Sequence, residues 1–137
     1  MRSIALAACL LLAVPAAAQQ HQLDTLTPAQ ALSRAAAASP NAVRAVVEFK
    51  VQNAAKSHGG YYLDSERDFH SASNLGVVIR ASAMPELTRK YGDDLKAALV
   101  GKTVKVIGQV RRRVVAGGSA TATQVEVTHA GQILSVS

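Results

Sequence analysis

Basic side chains that could bind anionic groups are spread along the chain, and one tyrosine lies among them. Tyr62 could stack against a base or a sugar, a contact worth about 1–3 kcal/mol, and arginines such as Arg111 could contact phosphates. The chain carries 15 Lys and Arg against 9 Asp and Glu, a formal net charge of +6 that favours anionic partners. The residues that we predict to bind such a ligand are Tyr62, Arg80, Lys56, His58, Lys50, Arg111 and Arg113.

A second interpretation assigns these residues no ligand. Tyr62 would then cover the rim of the fold, and the basic residues would keep strand faces soluble and discourage edge pairing. Aromatic residues make up only 4% of the chain, so a face with several stacking platforms is not expected. Asp64 beside Tyr62 would repel phosphate, and Arg112 must point away from Arg111 and Arg113 in a strand. The sequence leaves both interpretations open.

Catalytic and metal-binding patterns are missing from the sequence. There is no nucleophile elbow, no phosphate-binding P-loop and no HExxH motif. Asp64, Glu66 and Asp68 alternate like the start of a calcium loop, but Phe69 and Leu75 stand where that loop requires Gly and Glu. The four histidines lack the close spacing of zinc ligands. We therefore predict a binding protein that is not an enzyme and that has no catalytic residue, metal or cofactor.

The first residues have the pattern of an export signal. Arg2 precedes the apolar run Ile4–Val14, and Ala16–Ala18 forms a small-residue cleavage site, so residues 1–18 are predicted to be a signal peptide cleaved after Ala18. The run is too short to span a membrane as a helix. We expect an exported protein, periplasmic or secreted, with no integral membrane segment in the mature chain. Cys9 is the only cysteine, so the mature chain has no disulfide.

The first half of the mature chain changes from helical to strand periodicity. Residues 19–42 are predicted to form a leader with a short helix over Ala29–Ala38, capped at Thr27 and lying outside the core because its side chains have little bulk. Period-2 alternation then predicts a long first strand over residues 43–52. A polar loop follows over Asn53–Gly60, and the next two strands are predicted over Tyr61–Asp64 and Leu75–Arg80.

The second half begins with a helical stripe over residues 84–99, interrupted by Gly92. It predicts one kinked helix or two short ones, with Asp93 as a possible cap of the second. Strand four is predicted over residues 102–115, where Gly108 suggests a bulge or bend. A glycine-containing loop over residues 116–120 leads to strand five, which starts near Thr121 and is expected to continue at Ile133 and Val136.

This order of elements is that of a five-stranded barrel with a helix between strands three and four, the OB-fold. The residues also resemble those of small bacterial OB-fold proteins, a family that includes transfer-RNA-anticodon-like OB domains. The resemblance covers about residues 43–137 and implies one mainly β OB-fold domain there, preceded by the short N-terminal helix. The matching segments are Tyr62–Ser65, Asn74–Ile79, Gly101–Val110, Gln124–Val127 and Gln132–Ile133.

The resemblance implies where a ligand would bind. OB-folds bind polymers on the face of strands two and three, between the loops that join strands one to two and four to five. Those loops would be Asn53–Gly60 and Val114–Ala120. The expected function is binding of nucleic acid or another anionic oligomer on this face, where Tyr62 points outward. The alternative is a structural or protein-interaction module of the cell envelope without enzymatic activity.

Overall fold

The computed structural model describes residues 23–118 and 120–137. The predicted signal peptide over residues 1–18 lies outside the described residues. Helices and strands over the described part are β1 Thr25–Leu26, α1 Pro28–Ala38, β2 Val43–Lys50, β3 Asn53–Ser57, β4 Gly60–Asp64, β5 Leu75–Ile79, α2 Met84–Tyr91, α3 Leu95–Leu99, β6 Thr103–Val115, β7 Ala120–Val127 and β8 Ile133–Val136. None of the described helices is long and apolar enough to cross a membrane.

The strands form one mixed sheet in the order β1-β2-β6-β7-β5-β4-β3, with β8 paired to β6. Two pairings are parallel, β1 with β2 and β5 with β7, and the others are antiparallel. The protein is therefore mainly β, as predicted, with its helical segment between the third and fourth predicted strands. The sheet has eight strands and its hydrogen-bonded path is open, so the closed five-stranded barrel is not what the structure shows.

The first predicted strand, over residues 43–52, changes partner near its end, at Val51 and Gln52. The N–H of Val51 donates to the carbonyl of Lys102, whereas the N–H of Gln52 donates to the carbonyl of Asp64. The chain thus leaves β6 and joins β4, and the predicted loop Asn53–Gly60 becomes strand β3 with a tight turn into β4. That turn contains His58 and Gly59, both with positive φ, as a two-residue hairpin turn of the primed type requires.

The core is built from the inward-facing alternate residues of these strands. In β2 and β6 they include Val47, Val104 and Val106, each fully buried. The stripe over residues 84–99 adds Leu87 and Leu95, both at most 1% exposed. Complete burial of a leucine stabilises a fold by about 1.5–3 kcal/mol. The inward-facing side chains that alternation predicts therefore form the core that stabilises the sheet.

The helical stripe over residues 84–99 consists of two short helices. Gly92 ends α2 with φ 93°, a conformation that favours glycine. Asp94, rather than Asp93, caps α3, because its Oδ1 accepts a hydrogen bond of 3.0 Å from the N–H of Ala97. The prediction of Asp93 as the cap was wrong by one residue.

Helix α1 packs on the sheet, which contradicts the prediction that it lies outside the core. Ala31 and Ala35 are fully buried, and the helix contacts β2 and β6. Small side chains let the helix backbone approach the strands closely, so a face without bulk can still be a packing face. The predicted cap is confirmed: Thr27 Oγ1 accepts from the N–H of Gln30, whose Oε1 accepts from the N–H of Thr27.

Strand β8 corrects one further prediction. Ile133 and Val136 do not prolong the fifth predicted strand, which ends at Val127. They belong to β8, which turns back and pairs antiparallel with β6 over Val104–Val106. Strand β6 therefore pairs with β7 along its second half and with β8 along its first half, and this change of partner positions the candidate site.

Candidate anion-binding site

A single glutamine fills the gap where β6 changes partner. Gln132 Nε2 donates to the carbonyls of Ile107 at 3.0 Å and Glu126 at 2.9 Å. Its Oε1 accepts from the N–H of Thr128 at 2.8 Å, and also from the N–H of His129. The carboxamide thus replaces the missing backbone pairing between β6 and the end of β7.

Gly108 lies against this carboxamide. A Cβ at this position would come within 2.9 Å of Val125 Cγ1 and 3.2 Å of Gln132 Nε2. The predicted bulge is not at Gly108, which pairs in regular register with Ala45 of β2. The glycine is instead required by close approach, because the side chains of Val125 and Gln132 occupy the space that a larger residue would need.

A groove of about 420 Å³ opens above this junction on the outer face of β2, β6, β7 and β5. Four arginines line it, one from β2, two from β6 and one that directly follows β5, together with polar residues between them. The lining includes Arg44, Arg80, Arg111, Arg113, Gln109, Gln124, Glu126 and His129. The predicted residues Arg80, Arg111 and Arg113 are thus brought together.

Strand register explains this convergence. Arg44 pairs with Gln109, and Arg111 pairs with Gln124, so each arginine lies beside an outward-facing carboxamide on the next strand. Glu126 follows on β7 and is aligned with Val78 of β5. Alternate residues of paired strands share one face, so these side chains form two rows across the sheet.

Glu126 binds two of the four arginines. Its Oε1 lies 3.1 Å from Nε of Arg80, and its Oε2 lies 3.2 Å from Nη2 of Arg113. The hydrogen bond from Arg80 is the largest cause of a lowered pKa of Glu126, to which the charges of Arg113 and Arg111 also contribute. The same contact raises the pKa of Arg80. The carboxylate is therefore ionised at neutral pH and neutralises part of the groove.

The other two arginines have no carboxylate partner among the described residues. Within residues 23–118 and 120–137, Arg44 and Arg111 take part in no ion pair. Arg44 pairs with Gln109, and Arg111 follows Gln109 by two residues on β6, so Arg111 is the diagonal neighbour of Arg44. The backbone positions of such diagonal neighbours are about 7–8 Å apart. Arg44 and Arg111 thus occupy neighbouring positions on one face of the sheet, without a carboxylate partner among the described residues.

Tyr62 adjoins the groove but does not line it. It is half-buried on the outward face of β4 and pairs with Val78, which does line the groove. Two strand spacings of about 4.8 Å separate β4 from β7, which places Tyr62 about 10 Å from the strand that carries Glu126. Its neighbours Tyr61 and Leu63 are both buried, as expected in a strand whose Tyr62 points outward.

Three predicted residues lie away from the groove. Lys50 is six residues from Arg44 along β2, a distance of about 20 Å, and pairs with Thr103. Lys56 pairs with Tyr61, so it shares the face opposite to Tyr62. His58 belongs to the β3–β4 turn. The first predicted loop around the ligand is thus a short hairpin, and its basic residues do not join the arginines.

Asp64, which was expected to repel phosphate beside Tyr62, is buried. It is 5% exposed, and its oxygens accept hydrogen bonds from Nδ2 of Asn53 at 3.1 Å and Nδ2 of Asn74 at 3.0 Å. Burial raises the pKa of Asp64, and the two amide hydrogen bonds oppose that rise. The carboxylate anchors the loop over residues 65–74. In the described part of the chain, no three potential metal ligands form a group that could hold an ion.

Sequence reasoning missed several groove residues. Arg44 and Gln109 both line the groove, and the period-2 alternation of their strands, which puts each on an outward face, was the signal that could have suggested them. Their meeting depends on the register between β2 and β6, which periodicity alone does not give. His129 and Gln132 come from the turn after β7, whose position follows from the change of strand partner.

No protein-family model matches this chain, and no curated protein matches it either. The solved structures that are similar to this chain include two at low identity. One is a crystal structure of the S. pombe Stn1-ten1 complex, at 14% identity and a TM-score of 0.39 over 69% of this chain and 57% of that chain. The other is a putative aspartyl-tRNA synthetase from Leishmania major Friedlin, at 12% identity and a TM-score of 0.46 over 78% of this chain and 20% of that one. These values assign neither a ligand nor an activity to this chain.

Proposed function

We propose that this protein binds single-stranded nucleic acid in the four-arginine groove, with phosphates contacting Arg44 and Arg111 first. The observation that carries the proposal is the convergence of four arginines on a single face of the sheet, where one carboxylate pairs with two of them. With four guanidinium groups and one carboxylate, the groove has a clear excess of positive charge. Cations that only kept the strands soluble would not need to meet at one place.

The type of cation supports a phosphate ligand. Arginine presents a planar fork of donors that matches two phosphate oxygens, whereas lysine offers a strongly hydrated point charge. The groove is lined by arginines, and the candidate lysines at positions 50 and 56 lie elsewhere. This segregation favours recognition of phosphates rather than a diffuse attraction to anions.

The neighbouring side chains suit a nucleotide chain. Gln109 and Gln124 present carboxamides beside the arginines, and these groups can both donate to and accept from base edges. Tyr62 is the aromatic side chain next to the groove, where it could stack on one base. Asp64, which seemed to repel phosphate, already accepts two amide hydrogen bonds and is buried.

The proposal includes the fold type and the location. The change of partner at Val51 and Gln52, the parallel pairing of β5 with β7, and the helices between β5 and β6 support an OB-fold whose hydrogen-bonded path is open. The export pattern over residues 1–18 supports a periplasmic or secreted protein. A nucleic-acid ligand would then be met outside the cytoplasm.

A titration with labelled single-stranded DNA tests the proposal. The oligonucleotide is about 12 nucleotides long, within the range that an OB-fold covers, and binding is measured by fluorescence anisotropy at several salt concentrations. The test variant is the double substitution Arg44→Gln and Arg111→Gln. The control is Lys50→Gln with Lys56→Gln, which removes the same charge from exposed positions outside the groove.

The expected result is selective loss in the arginine variant. Each phosphate contact on a single strand contributes about 0.7 to the slope of log affinity against log salt, so loss of two contacts should reduce the slope by about 1.4. Lysine substitution should change it far less. No binding by the unmodified protein at low salt, or equal losses in both variants, would overturn the proposal. Tighter binding of a sulfated glycan than of DNA would point to that other class of polyanion instead.

A further inference from the structure

We infer that the carboxylate of Glu126 competes with the ligand for Arg80 and Arg113. It prevents an isolated anion from binding these two arginines, but a second anionic group on the same ligand chain can displace it. The inference rests on the proposed function and deepens it, because it specifies a ligand with closely spaced anionic groups. It concerns two pairs of arginines in one groove, of which one pair, Arg80 and Arg113, binds a carboxylate of the described part of the chain.

The occupied pair is bridged by a single carboxylate. Glu126 extends from β7 between Arg113 on β6 and Arg80 at the end of β5, and it uses one oxygen for each. A phosphate of the ligand would present oxygens to the same two guanidinium groups. The carboxylate therefore occupies the place, and uses the donors, that a second phosphate needs.

The bridge can be displaced without disrupting the core. The side chain of Glu126 is 36% exposed, and those of Arg80 and Arg113 are 48% and 39% exposed. Ion pairs at this exposure are individually weak because water competes for both partners. Once displaced, the carboxylate can turn into solvent, so the structure contains a contact that holds in the absence of ligand and that a strong competitor can replace.

A chain can compete where an isolated anion cannot. The first phosphate binds Arg44 and Arg111, which need no displacement, and covalent linkage then holds the next phosphate near Arg80 at a high effective concentration. Free phosphate lacks that advantage and must displace Glu126 from solution. The carboxylate thus reduces occupation of the groove by small anions while leaving it accessible to an oligomer.

The test compares Glu126→Gln with Glu48→Gln. Both substitutions remove one negative charge from an outward strand position where the carboxylate forms an ion pair, but Glu48 pairs with Lys105 and does not line the groove. The Glu48 variant therefore controls for the change in net charge. Affinity for the labelled oligonucleotide is measured in buffer without phosphate, and inorganic phosphate is then added as a competitor. Thermal melting of each variant verifies that it is folded.

Glu126→Gln is expected to raise affinity for the oligonucleotide by roughly two- to thirtyfold, the range expected when two exposed ion pairs no longer compete. The inhibition constant of inorganic phosphate, corrected for the affinity of the oligonucleotide, should also be lower for this variant than for the unmodified protein. Glu48→Gln should show neither effect beyond a small uniform gain. Glu126→Asp draws the carboxylate back from both guanidinium groups and should give an intermediate result.

Two outcomes separate failure of this inference from failure of the proposed function. If the unmodified protein binds DNA but Glu126→Gln binds it equally or more weakly, Glu126 is a positioning residue and the inference is wrong, while the function stands. If neither protein binds DNA at low salt, the proposed function fails and the competitor role fails with it.

Discussion

The carboxamide of Gln132 should stabilise the fold far more than its half-buried position suggests. Its Nε2 satisfies the carbonyls of Ile107 and Glu126 in a part-buried site, and its Oε1 accepts from Thr128 and His129. A buried polar group left without a partner costs about 1–3 kcal/mol. In Gln132→Ala both carbonyls lose their donor, whereas water can replace Oε1 for part of the N–H groups that it accepts from. The substitution should therefore lower the free energy of unfolding by about 2–4 kcal/mol.

Urea denaturation of matched variants measures this effect. Gln109→Ala is the control, because it removes the same side chain from an exposed position on β6 and should change stability by about 0.5 kcal/mol or less. Gln132→Glu keeps the shape but turns a carboxylate oxygen toward the two carbonyls, so its loss should be at least as large at neutral pH. Protonation of the new side chain should recover part of that loss in acid. If both Gln132 variants lie within the range of the control, the interpretation of the junction is wrong.

Three further predictions concern other parts of the chain. The pKa of Asp64 is raised in the folded state, so the contribution of this group to stability is greatest below its usual pKa and is lost as the pH rises through the folded value. In urea denaturation, the free energy of unfolding should therefore fall relative to that of Asp64→Asn from about pH 4 upward. A difference between the two proteins that stays flat or rises with pH would contradict this. Ala35→Leu should destabilise the protein by about 1–3 kcal/mol through overpacking under α1, whereas Ala36→Leu at an exposed position should be nearly neutral in the same assay. Expression of the whole chain in a bacterium with an export system should give a mature protein that begins after Ala18, as measured by mass spectrometry. An uncleaved product would refute the signal-peptide prediction.

Alternation predicted the interior of the sheet because it reports directly on which face a strand buries. Val47, Val104 and Val106 are buried as their spacing indicates. The same signal failed over Asn53–Ser57, where short and polar side chains hide a strand that backbone hydrogen bonds to β4 define. The change of hydrogen-bonding partner from β6 to β4 at residues 51 and 52 depends on the arrangement of the whole sheet, so no local sequence pattern predicts it.

The candidate site was predicted in part for a related reason. Arg80, Arg111 and Arg113 were identified by residue type, and the fold brings them together. Lys56 was placed beside Tyr62 because a loop was expected there, and formation of β3 moves it to the opposite face. Glu126 was not recognised, because its role depends on two arginines from different strands.

Helix α1 illustrates a different limit. Its alanine-rich face offers little apolar area, so a sequence argument based on bulk places it outside the core. The structure shows that Ala31 and Ala35 are buried because a smooth helix face fits closely against β2 and β6. Close packing of small residues depends on the shape of the partner surface, which the sequence of the helix does not contain.

The most direct test of the account is a magnetic-resonance titration that observes the arginine side chains themselves. Isotope-labelled protein is mixed with single-stranded DNA, and the Nε–Hε signals are followed at low salt. The account predicts shifts for Arg44, Arg80, Arg111 and Arg113, with backbone shifts centred on β6 and β7. Shifts confined to the β3–β4 hairpin, or equal small shifts for every arginine of the chain, would contradict a nucleic-acid site in the groove.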